Sequence, residues 1–408
     1  MSSIRCIILL VALVATLALA SPMPTRTIAK RSFSIPRIKR DIAKSHAWHK
    51  RNIQRELAKA NRKYGFNTNV VRAAAATNGT GSENGEVAAN PEENESEFLS
   101  PVTIGGQKLN LDFDTGSSDL WVFSTQLSRR TIGQHAAFDN TKSNTFKNLT
   151  GSTWLITYGD GSGAAGVVGL DTVDIGGATV TEQAVEMATA VSQSFVQDTN
   201  NDGLVGLAFS KLNTVKPQKQ KTFFDNVMAN LDLPVFTADL TNDSTGTYEF
   251  GKIDTTKFKG DLTDVPVNSS SGFWQVQSNS FTIDGKVTQR TGASPAIADT
   301  GTSLLLVDDE VAEAYYSKVQ GAQNDPDVGG FTYPCAATLP SFGVAMGDYV
   351  AEIPGDAITF AEVTPTTCFG GVQGTGGGNL QIYGDVMFKT QFVVFNGADS
   401  KLQIAPKN

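Results

Sequence analysis

The chain has 408 residues, with 33 Lys+Arg against 41 Asp+Glu, three His, three Cys and 40% hydrophobic residues, for a formal net charge of −8 at pH 7. That length and apolar content suit a globular protein of more than one domain. Three histidines are too few for a His-rich zinc site, and the acidic balance argues against a nucleic-acid partner.

Arg5 gives a basic start, Ile7 to Ala20 is apolar, and Ala18-Leu19-Ala20 is a small-x-small cleavage site. Residues 1–20 read as a secretory signal peptide. The run is too short to span a bilayer, and no second long apolar run follows, so no membrane partner is expected. Lys401 to Asn408 is neither an anchor signal nor a retrieval signal, and an exported, extracellular protein is expected.

Residues 21–90 hold fourteen Lys+Arg and four Asp+Glu. With Arg5 set aside, the other 318 residues (408 − 90) hold 18 Lys+Arg and 37 Asp+Glu, a net of −19. A basic segment ahead of an acidic body predicts a propeptide over 21–85, held by charge attraction and released when acid protonates carboxylates. Its end falls between residues 72 and 90. The pairs Lys30-Arg31, Lys39-Arg40 and Lys50-Arg51 are candidate processing sites. A helix is expected over 41–64, with Ile42, Ile53, Leu57 and Ala60 on one stripe. Residues 73–96 are rich in Ala, Asn, Gly, Glu and Ser and read as a linker or a disordered mature N-terminus.

From Phe98 the pattern is β: 102–106, 154–158, 173–177, 248–251, 281–285 and 392–395 are short apolar-alternating runs between turn residues. Helices are expected at 222–230 and 308–318, the second N-capped by Asp308 or Asp309. Within this body the chain repeats itself. Leu111-Asp112-Phe113-Asp114-Thr115-Gly116-Ser117-Ser118-Asp119-Leu120-Trp121-Val122 returns as Ala296-Ile297-Ala298-Asp299-Thr300-Gly301-Thr302-Ser303-Leu304-Leu305-Leu306-Val307. Asp114 and Asp299 are 185 residues apart, about one domain's length. The fold expected is mostly β, with two pseudo-symmetric lobes over 97–264 and 265–408 and a cleft between them.

Cys6 would leave with the signal, so Cys335 and Cys368 form an even pair in an exported chain and are expected to be disulfide-bonded. No thiol is then left for catalysis. Asn78, Asn94, Asn148, Asn242 and Asn268 head Asn-x-Ser/Thr sequons, each a glycan acceptor if exposed. His46 and His49 fall in the propeptide. His135 would have to serve any Ser-His-Asp arrangement, but no Gly-x-Ser-x-Gly elbow accompanies it, and it reads as a surface-loop residue. The stretches 159–163 and 374–378 are Gly-rich without the spacing or Lys of a phosphate loop, and the second reads as a flexible loop. No metal or other cofactor is expected.

Paired carboxylates remain. Two Asp side chains within about 3 Å cannot both ionise easily and share a proton, so one serves as base while the other serves as acid. A water between them could then attack a peptide carbonyl. Gly116 and Gly301 allow tight turns. Ser117 and Thr302 can hydrogen-bond the outer carboxylate oxygens, and Thr115 and Thr300 can tie the two turns together.

These motifs, with Tyr158-Gly159-Asp160-Gly161-Ser162 and the apolar-Gly stretches 203–207 and 381–385, resemble the pepsin family of aspartic endopeptidases, above all the secreted penicillopepsin- and aspergillopepsin-like acid proteases of fungi. The resemblance covers about residues 97–407 and extends into the prosegment. It implies hydrolysis of proteins and peptides at acid pH by Asp114 and Asp299, with bulky apolar P1 and P1′ residues preferred. It implies a flap bearing Tyr158, Gly159 and Asp160, with Trp121 bonded to the Tyr158 hydroxyl and Phe195 and Leu204 lining S1. Asp160 in that context resembles relatives that also accept Lys at P1. Arg62-Lys63-Tyr64-Gly65 resembles the zymogen element whose Lys sits between the two aspartates, with Tyr64 beside it, so the chain's own propeptide is an expected partner; a monomer is expected. The intact Asp114, Asp299 and Tyr158 argue against a non-catalytic homologue, and the matched Asp-Thr-Gly turns disfavour a carbohydrate hydrolase.

Overall fold

The computed structural model describes Ile53, Glu56 and residues 84–91, 97–158, 162–242 and 244–408. The signal peptide, the dibasic pairs, Lys63, Tyr64, Asn78, Asn94, Gly159 and Asp160 lie outside the described residues. Residues 34–408 form one compact unit.

The alternating runs become strands. Phe98–Ile104 buries Val102 and Ile104 on one face, and Gln107–Asp114 buries Leu109, Leu111 and Phe113. The two pair antiparallel through the turn at Gly105-Gly106, where φ of 53° and 81° favours residues without a Cβ. Thirteen strands make one sheet. It runs from Thr263–Pro266 through Lys401–Pro406, Gln391–Asn396, Val235–Asp239, Gly246–Phe250, Gly85–Pro91, Phe98–Ile104, Gln107–Asp114, Gly203–Gly206, Leu120–Val122, Ala178–Val191 and Gly163–Ile175 to Lys147–Thr157. A further pairing, Thr103 with Asp174 and Ile104 with Val173, closes part of it into a barrel.

The later half adds three smaller sheets. One has five strands in the order Gln275–Val276, Ala296–Ala298, Gln381–Tyr383, Leu305–Val307, Val372–Gly374. The others have four each, built around Phe342–Met346 and around Gly330–Pro334 with Thr367–Gly370. Cys335 and Cys368 are bonded, 33 residues apart in the chain, beside the Tyr333–Cys368 pairing. The architecture is mostly β with two β-rich halves. The boundary at residue 264 does not cut the sheet, because Gln391–Asn396 pairs with Val235–Asp239 and carries the end of the chain back to the first half. Phe236 stacks on Phe395 at 4.4 Å and Trp274 lies 5.2 Å from Phe395, so aromatic rings fill that junction.

Five expectations are corrected. Gly85–Pro91, assigned by composition to a linker, is a strand paired with Gly246–Phe250. Its small apolar residues alternate, with Val87 and Ala89 buried, and period-two burial is enough to seat a strand even of weak propensity. His135 is buried rather than on a surface loop. Its ring stacks on Phe123 at 3.9 Å, and its nitrogens lie 2.9 Å from the Asn201 carbonyl and 3.4 Å from that of Val196. The glycine-rich stretch at 374–378 is pinned rather than loose, since the Gly376 and Gly377 N–H groups each donate to Asp309 at 2.8 Å. The later helix is Asp309–Tyr316, with Asp308 at its N-cap but making no side-chain cap bond. Arg290 and the Ser294 N–H claim that carboxylate instead. The earlier helix is shorter than expected, Phe223–Val227 followed by a 3-10 turn at Met228–Asn230, and Thr222 caps it by accepting from the Asp225 N–H at 3.2 Å.

Candidate active site

Each Asp-Thr-Gly turn sits at the end of a buried strand. Gln107–Asp114 runs parallel to Gly203–Gly206, with Asp114 opposite Gly206. Leu120–Val122, just past the turn, pairs with that same strand antiparallel. In the second half Ala296–Ala298 runs parallel to Gln381–Tyr383, and Leu305–Val307 pairs with it antiparallel. The internal sequence repeat is therefore a repeat of topology, and the apolar-Gly stretches are the strands that the two Asp-Thr-Gly turns straddle. Gly206 and Gly384 are required by crowding. A Cβ at Gly206 would lie 2.5 Å from the Asp119 nitrogen, and one at Gly384 would lie 2.0 Å from the Thr302 carbonyl oxygen.

The carboxylates are held alike. Asp114 accepts the Gly116 N–H on Oδ1 at 2.8 Å and the Ser117 hydroxyl on Oδ2 at 2.6 Å. Asp299 accepts the Gly301 N–H on Oδ1 at 3.1 Å and the Thr302 hydroxyl on Oδ2 at 2.5 Å. Both side chains are at most 1% exposed. The threonines join the turns. Thr115 N–H donates to Thr300 Oγ1 at 3.2 Å, and Thr300 N–H donates to Thr115 Oγ1 at 3.0 Å. Each hydroxyl then donates across to the other strand, Thr115 to the Ala298 carbonyl at 2.9 Å and Thr300 to the Phe113 carbonyl at 2.5 Å. The result is one site with two matched carboxyl groups, each presented by its own half.

Residues 97–407 match the family described as eukaryotic aspartyl protease. The chain belongs to that family. It is 50% identical over 351 residues to aspartic protease PEP3 of Coccidioides posadasii, covering 83% of this chain and 79% of that one. It is 45% identical over 392 residues to penicillopepsin-2 of Penicillium janthinellum, covering 95% of each. It is 44% identical over 381 residues to aspergillopepsin-1 of Aspergillus fumigatus, covering 93% of each. The protein is an aspartic endopeptidase of the pepsin family.

In this protease an aromatic cluster stands beside Asp114. Trp121 Nε1 donates to the Tyr158 hydroxyl at 2.8 Å. Phe195 packs edge-on against Trp121 at 4.9 Å and against Tyr158 at 5.7 Å, and Leu204 belongs to the same apolar cluster. Tyr158 follows the strand Lys147–Thr157 and its N–H donates to the Ser162 carbonyl at 2.8 Å, at the base of a hairpin whose residues 159–161 lie outside the described ones. Burial, and next the charges of Asp114 and Asp119, push the Tyr158 phenol well above its ordinary range, so it stays neutral and can accept the indole proton.

Sequence reasoning missed two features here. Ile53, from the N-terminal segment, is buried in a cluster with Ile297, Leu304, Leu306 and Ile382, on the strands that flank Asp299. Three residues on, Glu56 is 3% exposed and accepts the Ser303 hydroxyl at 3.0 Å, next to Thr302 in the second turn. The second feature is a buried acid pair, Asp119 with Glu186. Its sequence signal was an aspartate set directly before the apolar run Leu120-Trp121-Val122. Among the described residues no helix is long and apolar enough to cross a membrane.

Proposed function

We propose that Asp114 and Asp299 are the catalytic pair of an exported, self-activating endopeptidase that works at acid pH. The reciprocal Thr115–Thr300 bonds, with their matched donors on the two carboxylates, carry this reading. The chemistry is the dyad logic of aspartic proteases in general. The pair holds one proton. The ionised aspartate takes a proton from the bound water as its oxygen attacks the peptide carbonyl carbon, and the other aspartate gives its proton to the carbonyl oxygen. The tetrahedral centre collapses when the aspartate that took the water's proton passes it to the amide nitrogen, the C–N bond breaks, and a hydroxyl of the centre returns its proton to the other aspartate. Gly116, Gly301, Ser117 and Thr302 hold the carboxylates in place for both steps.

The substrate is an extended protein or peptide segment with bulky apolar P1 and P1′ side chains. The cluster of Trp121, Tyr158, Phe195 and Leu204 beside Asp114 supports an apolar S1 pocket. Gly159 and Asp160 bond the substrate backbone, and the Asp160 carboxylate admits Lys at P1 by charge attraction.

Residues 1–20 direct export, and 21–85 keep the precursor inactive, with Lys63 between the aspartates and Tyr64 beside it. The seating of Ile53 and Glu56 against the strands and turn that bear Asp299 supports a propeptide that covers this half. The net charge of −19 after residue 90 suits acid, where protonation relieves self-repulsion. Asn148, Asn242 and Asn268 are exposed and are the acceptors for glycans among the described sequons. The enzyme acts as a monomer.

Incubating the purified precursor at about pH 3–5, with N-terminal sequencing of the product, tests activation. A shortened chain starting between residues 72 and 90, formed by wild type and not by Asp299→Asn, is the expected result. Equal processing by the two would overturn the assignment.

A further inference from the structure

Behind the Trp121–Tyr158 contact the fold buries a second pair of carboxyl groups. Asp119 enters the strand Leu120–Val122, and Glu186 lies on Ala178–Val191 directly opposite Trp121 in the parallel pairing of those strands. Each is 1% exposed. Asn213 Nδ2 donates to Glu186 Oε1 at 2.9 Å, to Asp119 Oδ1 at 3.3 Å and to the Ser118 carbonyl at 3.1 Å. Thr214 donates its N–H and its hydroxyl to Asp119 Oδ1 at 2.9 and 2.7 Å.

All those donors reach one oxygen of each carboxyl. Asp119 Oδ2 and Glu186 Oε2 are buried and take no N–H or O–H from any other described group. The one Asn213 amide reaches both groups, Asp119 Oδ1 at 3.3 Å and Glu186 Oε1 at 2.9 Å, so the two carboxyls sit side by side away from water. Two carboxylates so placed repel and have no hydrogen to share, so a bond between them needs one of them to be protonated. Burial raises both groups above the ordinary carboxyl range, and for Glu186 the Asp119 charge adds to it. Lys219 is the cation acting on Asp119, with Lys216 and Lys211 near it, while Tyr158 feels Asp119, Glu186 and, from the cleft side, Asp114.

We propose that Asp119 and Glu186 are positioning residues that form a proton-dependent latch: their shared proton clamps Leu120–Val122 to Ala178–Val191 and so fixes Trp121 under the Tyr158 hydroxyl, and loss of that proton frees the hairpin. The proposal rests on the reading that Tyr158 covers the cleft. The sign follows from the raised values. The latch is whole below the ordinary carboxyl range of roughly 4 and fails as pH climbs through the values of the folded pair. The enzyme's upper pH limit is then set beside the catalytic pair rather than in it.

Glu186→Gln tests this, because the amide supplies a permanent N–H in place of the proton. With a peptide substrate, kcat/KM near pH 4 should stay within about threefold of wild type. The upper pH limits of kcat/KM, of thermal unfolding and of tryptophan emission should all move up by about one unit or more. Asp119→Asn, which places the same donor on the other side, should reproduce the shift and serves if Glu186→Gln fails to fold. Unmoved upper limits in both variants would overturn the latch, and so would loss of activity at pH 4 in both. Asp299→Asn separates the two readings: if it stays active, the catalytic assignment falls, while emission and unfolding still report on the latch.

Discussion

Thr115 and Thr300 hold each other: each donates its backbone N–H to the other's hydroxyl, at 3.2 and 3.0 Å. Neither Asp-Thr-Gly turn is fully bonded without its counterpart, so the site exists only once both halves have folded. Thr300→Val keeps the shape but leaves the Thr115 N–H and the Phe113 carbonyl without this partner in a buried place. We expect a loss of about 2–4 kcal/mol in stability and a fall in kcat that exceeds any rise in KM. Denaturant unfolding and steady-state kinetics check this, and Thr300→Ser should recover most of both.

Gly384→Ala should be worse than its size suggests. Its Cβ would meet two backbone carbonyls, those of Thr302 at 2.0 Å and Leu304 at 2.4 Å, and backbone cannot swing aside as a side chain can. About 3 kcal/mol or more is expected, with the Asp299 turn displaced. A soluble, fully active Gly384→Ala enzyme would contradict the packing described here.

Removing the disulfide should act on stability and spare chemistry. The bond spans 33 residues at the edge of the second half. Chain-entropy reasoning gives about 3–4 kcal/mol for a loop of this length. The Cys335→Ser/Cys368→Ser double variant should unfold at lower denaturant while keeping its kcat at 25 °C.

Two N-terminal contacts should slow activation. Glu56→Gln weakens the acceptor for Ser303, and Ile53→Asp sets a charge in an apolar cluster. Both precursors should convert faster than wild type on acidification, Ile53→Asp the more so, as read by gel time courses. Conversion at the wild-type rate in both would mean that these contacts do not restrain the propeptide.

Specificity can be tested at Asp160. Asp160→Ser should reduce cleavage after Lys by about tenfold or more and change cleavage after Phe little, since a charge pair in a partly dry pocket is lost only for the cation. Equal losses for both peptides would assign Asp160 a general role in holding substrate.

The catalytic-type turns were legible because their chemistry is local. An aspartate, a glycine and a hydroxyl within four residues fix one carboxylate's hydrogen bonds, and the repeat of that unit pointed to a second copy. Alternation exposed most strands for the same reason, since burial on one face writes itself into every second residue. Where contacts came from far along the chain, the reading failed. Gly85–Pro91 looked like a linker because its partner strand lies at Gly246–Phe250. His135 looked exposed because the carbonyls and ring around it come from Val196, Asn201 and Phe123. Asp119, set before Leu120-Trp121-Val122, hinted at burial, but nothing local named Asn213 and Glu186 as its neighbours.

The sequence by itself determined the fold class and the family and singled out the two carboxylates as candidates, all of which rest on short motifs and regular periodicity. Only the tertiary structure decided how the halves join, through Gln391–Asn396 against Val235–Asp239, and which polar groups are sealed away from water. The physical reason is that a hydrogen bond between residues nearly two hundred positions apart leaves no trace in local composition. A carboxyl's charge, likewise, depends on the burial and neighbours that folding brings to it.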